Sequence, residues 1–189
     1  NVIKDNSRVL DVGCETGDLL KFLNKGKQID GRGLEISQKN VNICVKHGLS
    51  VVQGDADKDL IAYPSKSFDF VILSQTLQAT YSPEEVLNQL VRISKHAIVS
   101  FPNFGSWLIR LKLLINGVMP LSNSLPHTWY TTPNIHLCTI KDFKKLCEKN
   151  SIKIEQSYYL NKNGKQINNP FNKLFNNFFS TSGLFVLKK

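Results

Sequence analysis

The chain has 189 residues, 41% of them hydrophobic and 21% charged, which is enough apolar material for one packed core and too much for a disordered chain. Twenty-four basic against fifteen acidic residues give a net charge of +9. No apolar run approaches the ~18 residues of a membrane helix, since the nearest candidate, Trp107 to Ile115, is interrupted by Arg110 and Lys112, and the N-terminus carries no secretory apolar segment. The expectation is a cytoplasmic protein with a single domain over residues 1–189.

Arg8–Val12 reads as a short apolar strand containing Asp11, followed by a glycine-bearing turn and a helix carrying Leu19, Leu20 and Leu23. Ile29–Glu35 reads as a second strand. Ser37 then caps a helix with Val41, Cys44 and Val45 on one face, and Gly48 ends it. Ser50–Gln53 is a third strand, and Phe68–Ser74 a fourth, apolar enough to be buried on both faces. Ser82-Pro83-Glu84-Glu85 predicts a helix start in which Ser82 and Glu85 form a capping box, leading to a strand at His96–Phe101.

Beyond Pro102 the pattern changes. Phe104, Trp107, Leu108, Leu111 and Ile115 share one helical face with Arg110 and Lys112 off it, and a Pro-rich irregular stretch runs from Asn116 to Cys138. Residues 103–138 thus read as an insert after the fifth strand. Thr139 with Asp142 opens another helix carrying Phe143, Leu146 and Cys147. The tail predicts strands at Ile152–Leu160 and Gly183–Leu187, separated by a polar, Asn-rich excursion.

Strands alternating with helices imply an α/β fold with a mainly parallel sheet and right-handed crossovers, whose ligands sit beyond the carboxyl ends of the strands at the switch point. Cys14, Cys44, Cys138 and Cys147 show no CxxC or CxxH spacing, so they read as apolar, reduced residues, and no metal site is expected. Residues 141–189 hold ten lysines against three acids. These lysines are scattered among Asn and Ile without clustered Arg, which fits a solvated surface better than a nucleic-acid footprint.

The chemistry gathers at the strand ends. Asp11-Val12-Gly13-Cys14-Glu15-Thr16-Gly17 brings a glycine loop to a helix N-terminus, where backbone approaches a ligand closely. The loop is GxxxG preceded by an acid, not the GxGxxG of a pyrophosphate site. That suits a ligand with an ammonium group and a carboxylate, such as the amino-acid end of S-adenosylmethionine (SAM), although a plain tight turn has the same pattern. Glu35 follows 24 residues after Asp11, near the ~20 expected for an acid that accepts from ribose hydroxyls. Asp55, with the backbone of Ala56, ends the third strand where an acceptor for an adenine amino group would stand; a helix cap is its other reading.

The segments VLDVGCETGDLL, GLEIS, VVQGD and FDFVILSQTLQ resemble the successive motifs of class I SAM-dependent methyltransferases. VSFPNFGSW, MP and LPHTWYTTPNIHLCTIKDF are similar to the more specific signature of the methionine biosynthesis protein MetW family. The resemblance implies a Rossmann-like methyltransferase fold, with a seven-stranded sheet, helices on both faces and an antiparallel last strand. It implies a role in methionine biosynthesis and a functional link with a homoserine O-acyltransferase. By motif, Asp11, Gly13, Cys14 and Gly17 would meet the methionine part of SAM or S-adenosylhomocysteine. Glu35 with Ile36 would meet the ribose, Asp55 with Ala56 the adenine, and the Ser74 backbone would close the cradle. Glu15 stands where the family usually has a third glycine.

Methyl transfer from a sulfonium needs a positioned acceptor, and a base only if the nucleophile must lose a proton. Ser74-Gln75 lacks the Asn-Pro-Pro-aromatic signature of amide or adenine N-methylation, and no Cys pair suggests a covalent RNA-base mechanism. Polar and aromatic residues cluster instead in the insert, at His127, Trp129, Tyr130, Asn134 and His136. They fit packing, a partner-docking surface, or an acceptor pocket in which His127, Tyr130 and His136 are the catalytic candidates. Two functions stand: a methyltransferase acting on a small molecule or a protein side chain, and a non-catalytic SAM-sensing partner of the acyltransferase. An RNA methyltransferase rests on the basic tail alone.

Overall fold

The computed structural model describes residues 2–122, 125–167 and 175–189. Strands β1 (Arg8–Val12), β2 (Asp30–Glu35), β3 (Ser50–Gln53), β4 (Phe68–Ser74) and β5 (Ser94–Pro102) pair in parallel in the order β3-β2-β1-β4-β5. At the far side β7 (Ser182–Lys188) runs antiparallel to β5, and β6 (Lys153–Leu160) pairs antiparallel to β7. This is the expected seven-stranded α/β architecture. After β1 the chain builds outward through β2 and β3, then returns to start β4 on the other side of β1, so the switch point lies between the ends of β1 and β4.

Strand alternation sends successive side chains to opposite faces. Val9, Ile72 and Ile98 face α1 (Asp18–Lys27) and α2 (Gln38–Lys46), in a core with Leu20, Leu23, Val41 and Cys44. Leu10, Val12, Val71, Leu73 and Val99 face the other way, toward α3 (Pro83–Ile93) and α5 (Ile140–Lys149), in a core with Leu87, Leu90 and Phe143. Phe143 sits between Phe101 and Phe185, with ring centroids at 4.7 and 4.8 Å. β4 is buried along nearly its whole length, as its composition predicts.

Two expectations fail locally. The capping box at Ser82 and Glu85 does not form: the N–H groups of Tyr81 and Ser82 donate to the Asp57 carboxylate at 2.9 and 2.8 Å, and Glu85 accepts from Gln89 one helical turn on. The helix after β5, α4 (Trp107–Asn116), is rotated away from its predicted orientation. Its one buried residue is Ile109, while Leu111 and Ile115 of the predicted face look outward, as does Leu114 beside them. On this helix Arg110, itself exposed, donates to the Gly105 carbonyl at 2.8 Å and lies over the ring of Phe178. Phe178 belongs to the short helix α6 (Asn176–Phe179), so this cation–π contact ties α4 to α6 while Arg110 and Lys112 both stay exposed. The rest of the insert is tethered where the N–H groups of Ile135 and His136 both donate to the Gln78 carbonyl, at 2.8 and 3.0 Å. In the polar excursion after β6, Leu160 bridges to Gln166, and residues 168–174 lie outside the described residues.

Removing the Phe143 ring opens a cavity between two other rings, so Phe143→Ala should cost about 3–5 kcal/mol in denaturant unfolding, whereas Leu114→Ala on the exposed side of α4 should stay within about 0.5 kcal/mol. Comparable losses from both would contradict the outward orientation of α4.

Candidate functional site

β1 places Asp11 in the middle of the sheet, in register with Gly33 of β2 and Ile72 of β4. The chain then turns sharply, with positive φ at Gly13 (73°), Glu15 (47°) and Gly17 (77°). At Gly13 the backbone alone favours glycine, and a Cβ there would also lie 2.6 Å from the Thr76 hydroxyl oxygen. Glu15 adopts the left-handed conformation without that freedom, at a cost of about 1–2 kcal/mol. Its N–H donates to Glu35 Oε2 at 2.9 Å, which holds it there.

Glu35 is 5% exposed and its carboxylate is clasped from two sides. Oε2 accepts from the Glu15 N–H, and Oε1 accepts from the Ser37 N–H at 2.9 Å and from the Asn40 amide at 3.5 Å. One side chain therefore fixes the loop after β1 to the loop after β2. About one of the four lone-pair positions of the carboxylate remains available, on Oε2.

Asp11 is 2% exposed, and among the described residues none donates a hydrogen bond to its carboxylate. Burial pushes its pKa from 3.8 to about 7, with the negative charges of Glu35 and Glu15 adding to the effect. The Cys14 thiol beside it is likewise pushed up by burial. The end of β1 thus holds a buried acid that, among the described residues, lacks a counter-charge.

Two chambers open at the strand ends and meet at Gly13. The first is lined by Asp11, Gly13, Cys14, Glu15, Thr16, Ser74 and Gln75. Ser74 is set by its hydroxyl 3.2 Å from that of Ser100 and by its carbonyl, which accepts from Thr76 at 2.9 Å. The second is mostly apolar and is lined by Val12, Leu34, Ile36, Asp55, Ala56, Thr76, Ala79 and Tyr81 among others. Ile36 and Tyr81 stand at its rim, 66% and 78% exposed. Asp55 lines this chamber, and its Oδ1 accepts from the Asp57 N–H at 2.9 Å as the cap of a turn.

Of the predicted site residues, Asp11, Gly13, Cys14 and Ser74 come together in the first chamber, and Gly13, Ile36, Asp55 and Ala56 in the second. Gly17 and Glu35 shape the loops without lining either chamber. His127, Tyr130 and His136 line neither. His127 and Tyr130 are exposed on the insert, and His136 Nε2 lies 3.4 Å from the Tyr81 carbonyl. Sequence reasoning missed the wall formed by Thr76, Ala79, Thr80 and Tyr81, a segment without charge or glycine. It also missed Asp57, which pins that wall through Tyr81 and Ser82. The short run between the end of β4 and Ser82 was the available signal for the wall.

The folded protein holds the Asp11 proton more tightly than the unfolded chain does, so this group lowers stability as pH rises from its unfolded value through about 7. Chemical denaturation should therefore show the wild type losing on the order of 3 kcal/mol relative to Asp11→Asn between pH 4.5 and 8. Parallel stability profiles for the two proteins would contradict a buried, unpaired Asp11.

Residues 1–187 match the family model described as methionine biosynthesis protein MetW. The chain is 32% identical over 167 residues to the bifunctional methionine biosynthesis protein MetXA/MetW of Rhodopirellula baltica, covering 84% of this chain but only 27% of that relative, so the chain spans about a quarter of the relative's length. Among solved structures, a SAM-dependent methyltransferase from Archaeoglobus fulgidus superposes with a TM-score of 0.65 at 21% identity, covering 96% of this chain and 86% of that one. The [4+2]-cyclase SpnF superposes with a TM-score of 0.69 at 16% identity, covering 100% and 77%. The structural likenesses show the fold alone. The match over nearly the full length is what identifies the family, and the chain belongs to the methionine biosynthesis protein MetW family.

Proposed function

We propose that the chain binds SAM across the two chambers and acts in methionine biosynthesis as a methyltransferase on a small-molecule or protein acceptor. The observation that carries this reading is the buried, unpartnered carboxylate of Asp11 at the switch point, flanked by the left-handed glycine loop. The amino-acid end of SAM supplies the ammonium that such a carboxylate lacks. The apolar second chamber suits adenine, with Ile36 and Tyr81 positioned at its rim and Asp55 and Ala56 at its edge. Glu35, which holds together the two loops flanking the chambers, keeps one acceptor position that suits a ribose hydroxyl.

Bound SAM would supply an electrophilic methyl group, and the chain's own residues would orient it. Asp11 would hold the ammonium, Gly13 would let the backbone approach, and Ser74 and Gln75 would bound the space where an acceptor must stand. Neither chamber is lined by a histidine or lysine, so an acceptor needing proton removal would have carboxylates, the Cys14 thiol or the Tyr81 phenol at hand. His127, Tyr130 and His136 keep the role of catalytic candidates only if the insert moves toward Gln75.

A second reading is a non-catalytic SAM-binding partner of a homoserine O-acyltransferase. The relative that carries MetXA and MetW in one polypeptide favours it, because fusion places two activities in permanent proximity.

Calorimetric titration tests the shared premise. Wild-type protein should bind SAM at micromolar concentration. Glu35→Gln, which keeps shape but removes charge from the clasp, should bind about 10- to 100-fold more weakly, the equivalent of about 1.5–3 kcal/mol. A wild type that ignores millimolar SAM would overturn the proposal. With binding established, S-adenosylhomocysteine release in cell extract supports the enzyme, and its absence in every fraction supports the second reading.

A further inference from the structure

The two chambers oppose the charge of the chain that holds them. Twenty-four basic against fifteen acidic residues give the protein a net charge of +9, yet the first chamber is lined by Asp11, Glu15 and Asp18 and the second by Asp55 and Asp57. Among the described residues no Lys, Arg or His lines either one. Three of these five acids have partners. Lys21 Nζ lies 3.3 Å from Asp18 and Lys58 Nζ 3.1 Å from Asp55, and Asp57 accepts from the N–H groups of Tyr81 and Ser82. The carboxylates of Asp11 and Glu15 have neither an ion pair nor a hydrogen-bond donor among the described residues. Asp11, 2% exposed at the wall of the first chamber, therefore calls for a cation from a ligand.

Glu15 adds to that demand from the rim. Its φ of 47° is a left-handed conformation that glycine would adopt freely, so a carboxylate stands here against a backbone cost. The side chain is exposed and lines the first chamber, and its charge reaches Asp11, whose proton it helps to hold. SAM and S-adenosylhomocysteine differ by one methyl group and one charge. Both carry an ammonium and a carboxylate, whose effects in the field of Glu15 largely cancel, and SAM alone adds a sulfonium cation. With Asp11 met by the ammonium of either ligand and Glu35 clasped by N–H groups, Glu15 is the carboxylate left to meet the extra charge. A cleft walled by one sign of charge focuses its field. At an effective dielectric of about 20, a unit charge within about 8 Å of a cation changes affinity by about tenfold or more. Glu15 faces solvent, so dissolved salt weakens this pull.

We infer that Glu15 is a specificity-determining residue: it makes the cleft prefer the sulfonium of SAM over the neutral thioether of S-adenosylhomocysteine. The inference rests on the SAM-binding reading above and holds for either function. An enzyme with this preference would shed its product readily, and a sensor would read the methyl-bearing form rather than the sum of the two.

The test titrates SAM and S-adenosylhomocysteine calorimetrically into the full chain at about 50 and about 500 mM salt. Four forms are compared: wild type, Glu15→Gln, Glu15→Gly and Glu148→Gln. Gln28 and Gln75 already hold φ of 50° and 54° in this chain, so Glu15→Gln removes the charge and keeps the turn. Glu15→Gly removes the same charge with a backbone free to be left-handed. Glu148, exposed in the last turn of α5 where the chain enters β6 at the opposite end of the sheet, controls for net charge. The expected wild-type preference for SAM is at least about tenfold at the lower salt and smaller at the higher. Both Glu15 variants should bring it below about threefold by weakening SAM while S-adenosylhomocysteine binding holds steady, and Glu148→Gln should leave it unchanged. Equal wild-type affinities for the two ligands, or a preference that survives in both Glu15 variants, would overturn the inference and leave SAM binding intact. A wild type that binds neither ligand would overturn the SAM-binding reading and the inference with it.

Discussion

The site depends on a carboxylate that is satisfied before any ligand arrives. Glu35 receives backbone N–H groups from Glu15 and Ser37, one from each of the loops that follow β1 and β2. Hydrogen bonds to an ionised acceptor are the strong ones in a protein, and this pair lets Glu15 occupy a left-handed conformation that usually belongs to glycine. With the two loops fixed to each other, Asp11 is left beneath them, nearly buried at the wall of the first chamber and, among the described residues, without a hydrogen-bond donor. One carboxylate has its bonds and organises the cleft, and the other lacks them and gives the cleft its appetite for a cation. Their proximity raises the Asp11 pKa further, so the two roles reinforce each other.

The opposite wall has a different origin. Thr76 to Tyr81 is held by Asp57 from below, through the N–H groups of Tyr81 and Ser82, and Thr76 packs against the bare α-carbon of Gly13. The same short segment carries the insert, because the Gln78 carbonyl accepts from both Ile135 and His136. The apolar chamber and the exposed insert therefore share one piece of backbone. The fold itself does not decide the chemistry, since a methyltransferase and a [4+2]-cyclase both superpose on it.

Much of this arrangement is legible in the chain. β1, β3 and β4 have the bounds that their apolar runs and flanking Gly, Asp and Ser residues predict, and Ser37 and Thr139 cap the helices they precede. Asp11, Gly13, Ile36, Asp55 and Ser74 line the chambers because the end of a parallel strand fixes where a side chain emerges, and that much is local. What escapes sequence reading is set by partners far along the chain. On α4 Arg110 meets Phe178, 68 residues further along, and the start of α3 depends on Asp57 reaching Tyr81. A periodic apolar face predicts which residues share a side of a helix, but not whether that side looks inward, and on α4 the buried residue is Ile109.

The account centres on where a ligand lies relative to Asp11, Glu35 and the rim of the second chamber. A crystal structure of the protein with S-adenosylhomocysteine measures that most directly. The predicted result is adenine in the apolar chamber between Ile36 and Tyr81, ribose hydroxyls on Glu35, and the ammonium on Asp11. Density elsewhere, or ribose turned away from Glu35 with Asp11 still unpaired, would contradict the account.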